Sequence, residues 1–182
     1  MLTKEKVMET ASFMAFGKPL VINVLRSIIV ESIVDAALKK WNWDWCSADY
    51  AGWDFEKDEI RLEVKQSAAR QSWVTPKPSA GIFDIAPRTG YYGKEGKFVV
   101  SAARHAHIYV FAHHPVWEIE LADHRDPKQW VFYVVDARQL VIAKQQTIAL
   151  NSVRAMVSHC TFENLGDSVE QLRETAYDDK AC

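Results

Sequence analysis

Cysteine is scarce in this chain: Cys46, Cys160 and Cys182 are the three it contains, and no two form a C-x-x-C pair. An odd number without metal-ligand spacing argues against a disulfide framework or a structural zinc site and fits a reducing, cytoplasmic compartment. No run of about 18 uninterrupted apolar residues exists, so no membrane span is expected. Met1 to Gly17 lacks a basic segment followed by an apolar one, so no secretory signal is read there. Internal repeats and low-complexity tracts are missing. So are the P-loop, G-x-G-x-x-G and G-x-S-x-G patterns, which leaves those nucleotide-binding and hydrolase chemistries without their signatures. Excess charge of one sign is missing too. A net charge of −2 counts against nucleic-acid binding by the surface as a whole, though a local basic face remains compatible with it.

What is present is ordinary globular composition, with 48% apolar and 25% charged residues over 182 positions, enough for one domain with a real core. Residues 1–16 read as a short helix or arm. Gly17-Lys18-Pro19 is a break, with Pro19 suited to a first helical turn. From Leu20 to about Lys40 the pattern is helical and apolar on most sides, which predicts burial against a sheet. A short strand is expected around Gly52–Phe55, a polar turn at 56–59, and a strand from Ile60 to Gln66. In that strand Ile60, Leu62 and Val64 alternate with Arg61, Glu63 and Lys65. Gly81–Ile85 reads as a third strand and 86–104 as an exposed loop. His107–Ala112 and Trp130–Val135 read as central strands, with a turn at Asp126-Pro127. Beyond Thr147 the chain reads as helical. The expectation is a single mixed α/β domain over 1–182, with a core at about 17–150 and a C-terminal helical extension at about 151–182.

Chemistry enters with the strand pair. If the turn is Lys57-Asp58, Asp54 lies opposite Arg61 and diagonal to Glu63, and Asp54, Glu63 and Lys65 share a face. A three-residue loop would reverse that parity. Magnesium commonly takes one or two carboxylates along with water and phosphate oxygens. Asp54 and Glu63 supply the carboxylates, and the Val64 carbonyl offers a further oxygen. Lys65 supplies a cation for the attacking water or for the charged transition state. Standing alone, E-x-K on a strand is more often a solvated face with cross-strand ion pairs. Glu31 adds weight, because its helical neighbours are mostly apolar and a carboxylate there is costly unless it is paired or bound to metal. The alternatives for Glu31 are a salt bridge to Arg26 or another cation, or exposure at the helix edge.

The run from Lys18 to Ser27, Glu31, Trp53-Asp54, Ile60–Lys65 and Gln71-Ser72-Trp73, with Ile108–Phe111 and Asp126–Val135, resembles small bacterial and phage proteins of the PD-(D/E)XK superfamily. The likeness covers about 17–150. It implies a restriction endonuclease-like α/β core, with a central mixed β-sheet flanked by helices. It also implies a Mg²⁺- (or Mn²⁺-) dependent nuclease acting on DNA. Asp54 matches the first acidic residue of the motif, Glu63 and Lys65 the E-x-K, and Glu31 the helix glutamate that some members use. Trp53 stands where the motif has proline. Gln71, more than Gln66, is a candidate for touching metal-bound water or substrate, since Gln66 would point to the other strand face. By analogy, two-fold symmetric cutting favours a homodimer. The alternative function is a non-catalytic nucleic-acid-binding or assembly protein that keeps the fold.

Arg61, Arg70, Lys77, Arg88, Lys94, Lys97 and Arg104 lie in segments that would rim such a site. His105 and His107 would share a strand face without a third ligand to make a zinc site. Cys46 and Cys160 read as core residues.

Overall fold

The alternating run at 60–66 sits at the centre of the fold. It forms β3 (Ile60–Ala68), the middle strand of five, in a computed structural model that describes residues 1–46, 51–93, 96–140 and 144–177. Lys94 and Cys182 lie outside the described residues. The remaining elements are α1 (Lys4–Phe16), α2 (Asn23–Leu38), β1 (Asp44–Trp45), β2 (Phe55–Lys57), β4 (Ile82–Asp84), β5 (Arg88–Tyr92), β6 (Phe98–Ala103), β7 (Ile108–His114), β8 (Val131–Asp136), β9 (Thr147–Ala149), α3 (Leu150–Met156) and α4 (Phe162–Tyr177). The central sheet runs β1-β2-β3-β7-β8, with β3 and β7 parallel and the other neighbours antiparallel. The protein is therefore an α/β fold in which a five-stranded mixed sheet packs against helices. No helix among the described residues is long and apolar enough to cross a membrane.

Each face of the sheet has its own core, because successive side chains of a strand point to opposite sides. On one face Leu62, Ile108, Val110 and Phe132 pack with Val30, Val34 and Leu38 of α2 and Leu165 and Val169 of α4. On the other, Tyr109, Phe111, Tyr133 and Val135 pack with Phe83, Ile148 and Val153. All seven residues of β7 are buried, as a central strand covered on both faces requires. Leu165 and Val169 of α4 complete the first core.

Several expectations need correction. Helix α2 starts at Asn23, since Pro19 and Val21 are engaged elsewhere. The Pro19 carbonyl accepts a hydrogen bond from the His124 backbone N–H, and the Val21 N–H donates to His124 Nδ1 at 3.1 Å. The helix buries one stripe, Arg26, Val30, Ile33, Val34 and Leu38, and leaves Val24 and Ile28 in solvent rather than being covered on most sides. The expected third strand is β4, which pairs with β9 in a separate two-stranded sheet. The expected loop 86–104 holds the β5–β6 hairpin, whose Phe98, Val99 and Val100 are exposed. Thr147–Ala149 is strand rather than helix.

Candidate active site

Strand β2 is short, and this creates the site. Its ladder with β3 covers Ile60, Arg61 and Leu62, so beyond Leu62 no strand among the described residues pairs with that edge of β3. A cavity of about 520 Å³ lies there, lined by Glu31 and Arg26 of α2, by Asp54, by 63–67 of β3, and by Gln71 and Arg88.

The β2–β3 turn is Asp58-Glu59, with Lys57 opposite Ile60. It falls one residue later than the Lys57-Asp58 turn considered from the sequence. The turn keeps two residues, so the parity that puts Asp54 near Glu63 survives, although the register shifts. Asp54 itself lies just before β2, outside the ladder. Its N–H donates to the Leu62 carbonyl at 2.9 Å, and its Oδ2 accepts the Val64 N–H at 2.6 Å. The N–H and C=O of one strand residue point to the same side. The Val64 carbonyl therefore faces the same open edge as the Asp54 carboxylate.

Glu63 is buried, and its carboxylate pairs with Lys65 Nζ, two residues along on the same face. Arg88, reaching from β5, brings its guanidinium to 3.8 Å from Glu63 Oε1. Burial pushes the Asp54 carboxyl up to about 7. Negative charge on Glu63 and Glu31 adds to the rise, while the Val64 N–H and Lys65 oppose it. Carboxylates crowded in this way favour a proton or a cation among them.

Glu31 is only half-buried and accepts a hydrogen bond from the Trp45 indole N–H at 3.2 Å. It sits at the rim of the cavity and is not the buried carboxylate that its neighbours on the helix suggested. Arg26, one of the alternative partners for it, bonds to Gln66, Gln71 and Asn23. Among the described residues no three or more His, Cys, Asp or Glu side chains are placed to hold a metal ion. Asp54, Glu63 and Glu31 are thus not assembled as a three-carboxylate cage. Asp54, Glu63 and the Val64 carbonyl remain as an oxygen set of the size that Mg²⁺ uses when water and phosphate complete its shell.

Gln71 is buried, and its amide is committed to the protein. Its Oε1 accepts from Arg26 at 3.2 Å, and its Nε2 donates to the Ala68 carbonyl and to Ser79 Oγ. It braces the cavity wall. Gln66 does point to the α2 side of β3, but α2 is one wall of the cavity, so Gln66 lines it too. The residue that sequence reasoning passed over is Arg26. The signal was available: a cation at spacing i, i+4, i+8 with Val30 and Val34 on the buried stripe.

The other basic candidates divide. Arg61 stacks over Trp53 at 4.0 Å and Arg70 over Trp117 at 4.6 Å. Arg104 donates to the carbonyls of Ile85, Leu140 and Gln145, which ties the end of the hairpin to the segments after β4 and β8 and before β9. Lys77 and Lys97 are exposed, and Arg88 lines the cavity. His105 and His107 precede β7 and have separate partners. His105 Nε2 lies 3.0 Å from the Ser101 carbonyl, and His107 Nδ1 accepts the Arg61 N–H. No family model, curated protein or solved structure matches the chain.

Proposed function

We propose that the protein is a Mg²⁺- (or Mn²⁺-) dependent nuclease that hydrolyses DNA phosphodiester bonds on a restriction endonuclease-like core. The observation that carries this reading is the crowding of Asp54 and Glu63, with Lys65 between them in charge, at an open strand edge that the Val64 carbonyl also faces. Asp54, Glu63 and Val64 are the residues that would hold the ion, with Glu31 at the rim as an auxiliary carboxylate. A bound Mg²⁺ supplies Lewis acidity toward a phosphate oxygen and toward water. The chain's own contribution is positional. Lys65 stands beside the acidic pair and can donate to a phosphate oxygen as charge builds on it. The Val64 N–H fixes the Asp54 carboxylate.

Plasmid, single-stranded and branched DNA incubated with Mg²⁺ or Mn²⁺ test this. Cleavage should fall by about 100-fold or more in Lys65→Ala and in Asp54→Asn; activity unchanged in either variant sinks the reading. A homodimer, checked by size-exclusion chromatography with light scattering, belongs to the same proposal where both strands are cut.

A second reading, a nucleic-acid-binding or assembly protein without catalysis, draws on the Glu63–Lys65 pair, which occupies a carboxylate that a metal would need. Calorimetric titration separates the two. Mn²⁺ binding that is lost in Glu63→Ala supports the nuclease, and the absence of metal binding supports the second reading.

A further inference from the structure

Arg26 is 1% exposed, yet it has no acidic partner among the described residues. Its Nε donates to Gln66 Oε1 at 2.6 Å, one terminal nitrogen to Gln71 Oε1 at 3.2 Å, and the other to Asn23 Oδ1 at 2.6 Å. All three acceptors are neutral amides. A guanidinium carries five N–H groups, so one on each terminal nitrogen is left over. Burial lowers its pKa only to about 10, which leaves it charged at neutral pH. A buried charge without a counter-charge is costly, and proteins normally pair such groups.

The position of this charge suggests what completes it. Arg26, Asn23, Gln66 and Gln71 all line the cavity that holds Asp54 and Glu63. The cover over the guanidinium is light. Gln66 is half-buried, and among the described residues its Nε2 bonds to Asn23 alone, through the backbone carbonyl at 3.2 Å and Oδ1 at 3.1 Å, while Asn23 itself is exposed. Gln71, by contrast, is fixed from three sides. An oxyanion entering the cavity can therefore take the place of the Gln66 amide oxygen on Arg26, with Gln71 and Asn23 still holding the guanidinium in plane. Planar guanidinium forks bind phosphate oxygens in pairs.

We propose that Arg26, under Gln66 and Asn23, is a phosphate-binding subsite for nucleic acid, separate from the carboxylate end of the cavity. The subsite needs no metal, so it stands or falls independently of the nuclease reading. Two sources of phosphate share this chemistry: an internal diester of the strand, and a terminal phosphate monoester.

The test is fluorescence polarisation in EDTA, with dye-labelled oligothymidylates that are identical except for a 5′-phosphate or a 5′-hydroxyl. The wild type should bind. Equal affinity for the two oligonucleotides assigns the subsite to an internal diester, and tighter binding of the phosphorylated one assigns it to a terminal monoester. Arg26→Met should abolish this binding, but it removes a buried hub and can unfold the chain. Gln66→Glu is the decisive variant, because it supplies the missing counter-charge from inside. It should raise the melting temperature and weaken binding at least tenfold. Ser27→Glu places the same added charge in the cavity at a position whose side chain bonds to the Val24 carbonyl and not to Arg26, and should weaken binding much less. The proposal is overturned by wild-type protein that binds neither oligonucleotide, by a folded Gln66→Glu that binds as wild type, or by equal losses in Gln66→Glu and Ser27→Glu. Binding that persists while Mg²⁺-dependent cleavage is absent would count against the nuclease reading and leave the subsite intact.

Discussion

The carboxylate of Asp54 accepts the backbone N–H of Val64 at 2.6 Å, and this bond ties the acidic site to the strand edge that forms it. It holds in place a group that electrostatics disfavours. The Asp54 carboxyl sits near 7, raised first by burial and then by Glu63, against an unfolded value near 3.8. Between those two values the folded chain binds more protons than the unfolded one, so this residue makes stability fall as pH rises from about 4 to 7.

Asp54→Asn keeps an acceptor for the Val64 N–H and removes the charge. It should therefore be more stable than wild type at pH 8, by about 1–3 kcal/mol, with the advantage fading toward pH 4. It should also lose Mn²⁺ binding and cleavage. Thermal melts at the two pH values, beside a calorimetric metal titration, check both halves. A variant less stable at pH 8 than wild type would remove the electrostatic account of the site.

The clearest sequence signal was the two-residue period of 60–66. It places β3 and the face shared by Glu63 and Lys65. The nearness of Asp54 rests on the turn instead, because parity depends on the turn having two residues, not on where it falls. Glu31 was less legible. A helical wheel gives neighbours along the helix, but the indole of Trp45, which holds its carboxylate, arrives from β1. Arg26 is half legible: its spacing with Val30 and Val34 puts it on the buried stripe, but its amide partners Gln66 and Gln71 are about 40 residues away, and nothing local announces them. The β5–β6 hairpin was obscured by its glycines and cations, which resemble loop composition until Tyr91 is seen packing at a tilt against Trp53, ring centres 5.1 Å apart.

Acid should destabilise the fold through its histidines. His113 and His124 are pushed down to about 4, chiefly by burial, with Arg154 adding to the effect on His113 and Arg26 on His124. Unfolded, each titrates near 6.5, so the folded chain binds fewer protons between 6.5 and 4. Their contribution is complete above 6.5 and lost as pH falls through that window, up to about 3 kcal/mol each. Asp54 works in the opposite direction over much of the same range, but it is one group against two. Urea unfolding at pH 7, 5.5 and 4.5 should show a net loss, steeper in Asp54→Asn. A flat profile would mean that these rings are not neutral and buried in solution.

The β2–β3 turn offers a stabilising change. Asp58 and Glu59 have φ of 49° and 66°, the left-handed region that the tight hairpin turn demands at both positions. Glycine reaches that region without the steric penalty of a side chain, and Asp-Gly is a preferred pair for it. Glu59 is exposed. Glu59→Gly should therefore gain about 0.5–1 kcal/mol, less the added flexibility of the unfolded chain. Because the turn sets the parity of Asp54 against Glu63, metal binding should be unchanged. A loss of stability on denaturant titration would refute the strain argument.

The crossing of α2 and α4 should tolerate no side chain at its tightest point. Gly166 is buried in α4, and a Cβ placed there would lie 2.2 Å from the Ala37 carbonyl oxygen and 3.2 Å from the Trp41 ring. The first contact is with helix backbone, which cannot turn aside as a side chain can. Gly166→Ala gains about 1 kcal/mol of intrinsic helix propensity. Against this, α4 must move away from α2 and open the packing of Leu165 and Val169 against Val34 and Leu38, and overpacking of this kind costs about 1–3 kcal/mol or more. The backbone clash should win, giving a lower melting temperature. Since α2 also carries Arg26 and Glu31, its displacement should weaken oligonucleotide binding in EDTA by several-fold even where the protein stays folded. Stability equal to or above wild type would show that the helices are free to separate and that α4 does not fix the position of α2.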